Sequence, residues 1–227
     1  MPNLKPVLVG VLALAAGVLG LVGWQLTGLV RPSRQGPDVH PNEFMISSED
    51  VEFNSVDGVP LRGWLLSGRS GAPALLLCHG LGTSRASLVN LAVPLHQAGY
   101  HVLLFDFRGH GESGGRRTTL GIDEAQDILG AIDFLATQER IDSSMFGGWG
   151  LYIGAYALVV AARHSDKLRS IVLDGMFPDP GFFIGERLFQ QTGFLQGPLA
   201  WLAEQEFLRV LGPTRSEPPA SVILETL

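Results

Sequence analysis

The sequence holds a single cysteine, Cys78, in 227 residues. One thiol excludes a disulfide scaffold and reads as core packing, which leaves the redox compartment open. Charge is also sparse. Only 17% of residues are charged, and 16 Lys and Arg against 22 Asp and Glu give a net charge of −6. Nothing there offers a phosphate-neutralising face, so no nucleic-acid partner is expected. A hydrophobic share of 46% is too high for a disordered chain. The 29 glycines follow no triplet period, which excludes a collagen-like chain. No internal repeat or low-complexity tract is present. What remains is one domain of ordinary size, with room for a core.

One hydrophobic run is long. No charged residue lies between Val7 and Val30, and only Gln25 and Thr27 are clearly polar. A helix of that length rises about 36 Å, enough for a hydrocarbon core of about 30 Å. The rivals are a cleaved signal peptide and a buried soluble helix. The run is long for a signal peptide, and Trp24-Gln25-Leu26 offers no small-residue cleavage site. Residues 1–30 are therefore expected to be an uncleaved single-pass membrane anchor. Lys5 before the run and Arg31 and Arg34 after it blunt the positive-inside signal, so the side stays open. Residues 31–43, with Pro32, Pro37 and Pro41, read as a linker to a domain over 44–227.

That domain alternates strands and helices. An alternating run starts at Val51, and Asp57-Gly58 signals a hairpin returning through Val59 to Leu66. Ala74 to Cys78 and His101 to Phe105 are short continuous apolar runs, as in strands buried on both faces. Ser87 to Ala98 suits a helix ended by Gly99. Thr118 or Thr119 is expected to cap a helix carrying Ile122, Ala125, Leu129, Ile132 and Ala136. Met145 to Trp149 reads as a fifth strand, Tyr152 to Arg163 as a helix apolar nearly all round, and Leu168 to Leu173 as a sixth strand. A hairpin followed by strand–helix units predicts an α/β fold with a mostly parallel sheet.

Three motifs sit where those strands end. Cys78-His79-Gly80-Leu81-Gly82 follows the third, Asp106-Phe107-Arg108-Gly109-His110-Gly111-Glu112-Ser113 the fourth, and Gly150-Leu151-Tyr152-Ile153-Gly154 the fifth. In this order and context they resemble the α/β-hydrolase superfamily, and in particular membrane-anchored bacterial-type serine hydrolases of the esterase and S33-peptidase kind. The resemblance runs from Val51 to Asp174. It implies an ester- or amide-hydrolase ancestry, no cofactor and no metal. It also implies an oxyanion hole from the N–H groups of Leu81 and Ile153, with His79, Gly80, Gly150 and Gly154 as motif residues. The nucleophile position falls on Tyr152, where that family has serine. A phenol does not stand in for a hydroxymethyl group. Its oxygen lies across a rigid ring, and errors of about 1 Å can cost about a hundredfold.

Other nucleophiles and partners are weaker. Gly111-Glu112-Ser113-Gly114-Gly115 also fits Gly-x-Ser-x-Gly, but in a loop with no helix following directly, so Ser113 is expected to be structural. Cys78 and His79 are neighbours on a strand and point to opposite faces. Asp106, His110 and Glu112 read as loop hydrogen bonding rather than metal ligands, and Asp174 as a loop carboxylate. The one histidine after Tyr152 is His164. Residues 177–212 resemble a cap, whose Phe182, Phe183, Phe189 and Phe194 suit either an acyl pocket or cap packing. The chain ends at Leu227, about where the family's seventh strand begins, so an incomplete C-terminus is expected. Three readings stay open: a decayed hydrolase, a membrane-anchored binding pseudoenzyme with a small acyl ligand, and an active hydrolase in a truncated record. A bare sixth strand would further favour self-association through the sheet edge.

Overall fold

A computed structural model describes residues 36–192 throughout, apart from the side chains of 188, 189, 191 and 192, and scattered residues among 6–34 and 201–224. Two compact units are present. Residues 1–30 and 181–216 make one, and 31–180 with 217–227 the other.

The larger unit is built on six strands: β1 (Glu49–Asn54), β2 (Pro60–Leu66), β3 (Ala72–Cys78), β4 (His101–Phe105), β5 (Ile141–Leu151) and β6 (Leu168–Asp174). Their order across the sheet is β1-β2-β4-β3-β5-β6. β1 and β2 form the expected antiparallel hairpin, and β2 meets β4 antiparallel. The pairs β3–β4, β3–β5 and β5–β6 are parallel. At the hairpin turn Gly58 adopts φ 86°, and Ser55 Oγ donates to Asp57 Oδ1 at 2.6 Å. The two sheet edges differ. β1 carries Glu49, Asp50 and Glu52, charges that discourage edge-to-edge pairing, whereas β6 exposes Val172 between Arg169 and Asp174.

Helices cover both faces. Helix α1 (Val89–Gln97) seats Val89 and Ala92 on Trp64, Leu66, Leu77, Val102 and Leu104. Helices α2 (Glu124–Ala136) and α3 (Ile153–Ala162) pack against each other and on the opposite face. There Phe134 of α2 stacks on Phe53 of β1, ring centroids 5.1 Å apart. Every residue of α3 from Ile153 to Ala161 is buried, as its apolar sequence predicts.

Three elements differ from expectation. A short 3₁₀ turn, Arg85–Leu88, precedes α1, so the α-helix begins two residues after Ser87. Helix α2 starts at Glu124 rather than after the threonines. Thr118 Oγ1 and Thr119 Oγ1 both donate to the Glu124 carboxylate, at 2.6 and 2.9 Å, while Leu120 and Gly121 hold positive φ. β5 extends past its apolar run through Asp142, Ser143 and Ser144.

Most of the 1–30 run, on which the anchor expectation falls, lies outside the described residues. Among the described residues no helix is long and apolar enough to cross a membrane. The described part of 31–43 packs on the larger unit: Pro41 is buried, and His40 stands edge-on to Trp64 at 4.5 Å.

A buried ion network joins hairpin, sheet and helix. Arg108, after β4, donates to Asp57 of the hairpin turn at 2.6 and 2.8 Å. It also donates to Asp127 of α2 at 2.7 and 2.9 Å. The Arg108 hydrogen bonds hold the Asp57 carboxyl down at about 2. Asp127 is wholly buried, and burial pushes its carboxyl up to about 7 against the pull of Arg108, so removing the cation leaves it unpaired in the interior. Arg108→Met is expected to lower stability by about 3–5 kcal/mol at neutral pH, read from urea unfolding of the full chain. A loss below about 1 kcal/mol, the range of an exposed pair, would show that water replaces the guanidinium.

Candidate active site

The chain turns from β5 into α3 with no connecting loop: Leu151 ends the strand, Ile153 starts the helix, and Tyr152 stands between them. Tyr152 has φ 51° and ψ −106°, an outlier for a bulky residue that carries about 1–3 kcal/mol of strain. Its N–H donates to the Asp174 carbonyl at 2.9 Å, and its carbonyl accepts from Tyr156 N–H at 3.1 Å. This is the elbow geometry that the motif implies.

The two motif glycines are required by close approach. A Cβ on Gly154 would stand 2.4 Å from the Cys78 carbonyl oxygen, and one on Gly150 would stand 2.5 Å from Ala155 N. Helix α3 therefore starts directly against the ends of β3 and β5, which leaves no room for side chains there. Cys78 is part of that wall; burial pushes its thiol pKa up, so it is inert packing.

The loop after β3 lies against the elbow. A Cβ on Gly80 would come within 3.4 Å of Tyr152 Cδ2, and one on Gly175 within 3.0 Å of Tyr152 Cε1. The tyrosine ring is thus flanked by two glycine backbones, and the side chain is half exposed. The Leu81 and Ile153 amides donate to no other group among the described residues. Gly175 escaped the sequence reading; Asp174-Gly175 after a strand was its signal, a turn dipeptide with φ 67° at the glycine.

Among the described residues no base is hydrogen-bonded to the Tyr152 hydroxyl. His79 is fully buried, with Nδ1 donating to the Gly80 carbonyl at 2.7 Å and Nε2 accepting from Phe107 N–H at 3.1 Å. Burial, then the neighbouring His110, drive its pKa down to about 3, so it is a neutral strut. His164 lies beyond the far end of α3, roughly 15 Å along the helix axis. Ser113 is structural, as expected. Its hydroxyl donates to the Asp106 carbonyl at 2.5 Å and accepts from Arg62 N–H at 2.9 Å. Asp106 and Glu112 both pair with the buried Arg85, so these carboxylates serve the loop. Arg85 also lies over the Trp64 ring at 4.4 Å. Phe182 and Phe183 belong to the smaller unit, Phe182 exposed and Phe183 half-buried. The Phe189 side chain and Phe194 lie outside the described residues.

Known proteins share this fold. A family model described as alpha/beta hydrolase fold matches residues 73–215. A Mycobacterium tuberculosis protein of undefined role is 33% identical over 156 residues, covering 68% of this chain and 55% of its own length. The thiohydrolase aneE of Aspergillus aculeatus is 35% identical over 126 residues, covering 54% of this chain and 40% of its own. The Pyrococcus furiosus esterase Pf2001 superposes with a TM-score of 0.65 at 26% identity, over 83% of this chain and 71% of the esterase. The chain spans about half the length of the curated relatives it matches.

The buried neutral His79 makes stability depend on pH. The unfolded imidazole takes a proton below about 6.5, whereas the folded one does so only near 3. Stability is therefore full above pH 6.5 and falls as pH drops toward 3, at up to about 1.4 kcal/mol per pH unit from this group. Between pH 7.5 and 5 Asp127, whose carboxyl is raised to about 7, acts in the opposite direction, so the test is the difference: the urea midpoint is expected to lose more in the protein than in His79→Gln, which keeps an acceptor for Phe107. Equal slopes would show that His79 is protonated in the fold.

Proposed function

We infer function from one premise: the chain belongs to the alpha/beta hydrolase fold family. We propose that it descends from an ester or amide hydrolase, and that the elbow as it stands is silent as a serine hydrolase. The observation that carries this is Tyr152 at φ 51°, holding the nucleophile's place with a ring between Gly80 and Gly175. Serine-type attack needs a short side chain whose oxygen meets the substrate carbonyl beside the oxyanion amides. The tyrosine oxygen lies beyond the ring, and the ring occupies the approach. What the site retains is backbone: the Leu81 and Ile153 amides engage no other group among the described residues and suit an acyl carbonyl that reaches them past the edge of the ring. The protein is thus read as a membrane-anchored acyl-binding member of its family, held by residues 1–30, a run that carries no charge from Val7 to Val30. The names of its relatives, a thiohydrolase and an esterase, support acyl chemistry as the ancestral class.

Self-association through the sheet edge is part of the same proposal. β6 pairs only with β5 among the described residues, and Val172 is 45% exposed on it. An edge strand paired on one side only is a template for a second strand, here between the exposed charges Arg169 and Asp174. Val172→Lys is expected to convert a dimer of the full chain in detergent into a monomer by light scattering; an unchanged mass would remove this contact.

A fluorophosphonate probe is expected to leave the purified chain unlabelled, and p-nitrophenyl esters to hydrolyse at the background rate. Tyr152→Ser should restore little, since no histidine stands ready to take its proton. An oxyanion hole alone gives only about 10³–10⁴ over water. Labelling lost in Ser113→Ala would place the nucleophile in the wrong loop; a robust esterase from Tyr152→Ser would reveal a base near the elbow.

A further inference from the structure

We propose that Phe182 and Trp201, in the unit that residues 181–216 share with residues 1–30, are a second bilayer contact at the level of the lipid interface. The proposal rests on the reading of residues 1–30 as a membrane anchor. The two segments are far apart in sequence yet make one compact unit. Ile184 and Phe207 of that unit are buried. Its large apolar side chains are nevertheless well exposed: Trp24 71%, Trp201 60% and Phe182 53%. Val7, Leu8 and Val9 on the N-terminal run are exposed to a similar degree. A unit that can bury Phe207 while presenting tryptophans and Phe182 offers the amphipathic aromatics that partition to a membrane–water boundary.

The sequence limits how deep the second segment can go. No charged residue occurs from Leu188 to Ala203, but Gly193, Gly197 and Pro198 interrupt the stretch. It is shorter than the roughly 18 residues a span needs. Helix α4 (Pro180–Thr192) opens with Phe182 and Phe183 and then exposes Glu186 and Arg187. Apolar and charged groups within two turns suit an element lying in the interface rather than crossing it. A lipid surface is the chosen occupant because the unit's other half is a run without charge from Val7 to Val30, for which water and a folded partner are both poorer surroundings.

The test uses the full chain with one introduced thiol at a time: Leu8→Cys, Ser144→Cys, Phe182→Cys or Trp201→Cys. Cys78 is buried, and burial raises its thiol pKa, so it does not compete for label. Each variant carries the fluorophore NBD and is reconstituted into phosphatidylcholine–phosphatidylglycerol vesicles with or without nitroxide-labelled lipid. Emission at 8, 182 and 201 is expected to be roughly halved by the nitroxide, as for side chains at interfacial depth, with 144 unchanged. Labels at 182 and 201 that follow 144 while 8 is quenched would overturn the proposal and leave the anchor standing. Loss of quenching at 8 as well would overturn both. Blue-shifted labels at 182 and 201 that ignore the nitroxide and cross-link chain to chain would assign the surface to a second copy, and overturn the proposal too.

Discussion

The arrangement at the carboxyl end of the sheet depends on one close approach, that of Gly154 to the Cys78 carbonyl. A methyl group at Gly154 would overlap that oxygen at 2.4 Å, and one at Gly150 would strike the first turn of α3 at 2.5 Å. With both positions bare, the helix can start on the last residue of a strand. The chain between them has no slack, so whatever residue stands at 152 is forced to positive φ. The elbow is thus a property of its flanking glycines, not of the side chain at its apex.

That separation explains how a tyrosine stands at the apex without loss of fold. Strain of about 1–3 kcal/mol is small beside the burial of α3. The nine residues from Ile153 to Ala161 are all buried, and Tyr156 stacks on Phe177 with centroids 5.2 Å apart. The ring of Tyr152 needs only space, and Gly80 and Gly175 provide it on either side. Chemistry and architecture are therefore decoupled at this site. The amides of Leu81 and Ile153 are set by backbone elements that never sense whether residue 152 can attack.

The sequence made the elbow legible because its signals are local. Glycines two residues either side of position 152, a strand before and an all-apolar helix after fix the turn to within a residue. His101–Phe105 was equally plain, since a strand buried on both faces is a run of apolar residues. The start of α2 was not. Thr118 and Thr119 have the chemistry of helix caps, yet their hydroxyls serve the buried Glu124 carboxylate. Gly121 is held at φ 103°, where a side chain would meet the Tyr156 ring at 2.8 Å. A contact with a helix more than thirty residues later decides that loop, and no local pattern carries it. The polar start of β5 was hidden for the opposite reason: Asp142, Ser143 and Ser144 join the strand without being covered.

Least legible was the way the two loops beside the elbow are braced. Arg85 reaches from the loop after β3 to Asp106 and Glu112 after β4, and its backbone N–H also donates to Asp106 at 2.7 Å. His79 spans the same gap through Phe107 N–H. Residues twenty or more positions apart thus form one cluster, buried except for the half-exposed Glu112, in which the charged members are paired and His79 is neutral. The Arg85–Asp106 pair is costly to take apart, because losing either partner strands a charge in the interior. The loops that present Leu81 and flank Tyr152 are for that reason fixed by electrostatics distinct from any catalytic proton transfer. Such a frame holds the backbone amides of the two loops in place whatever side chain stands at 152.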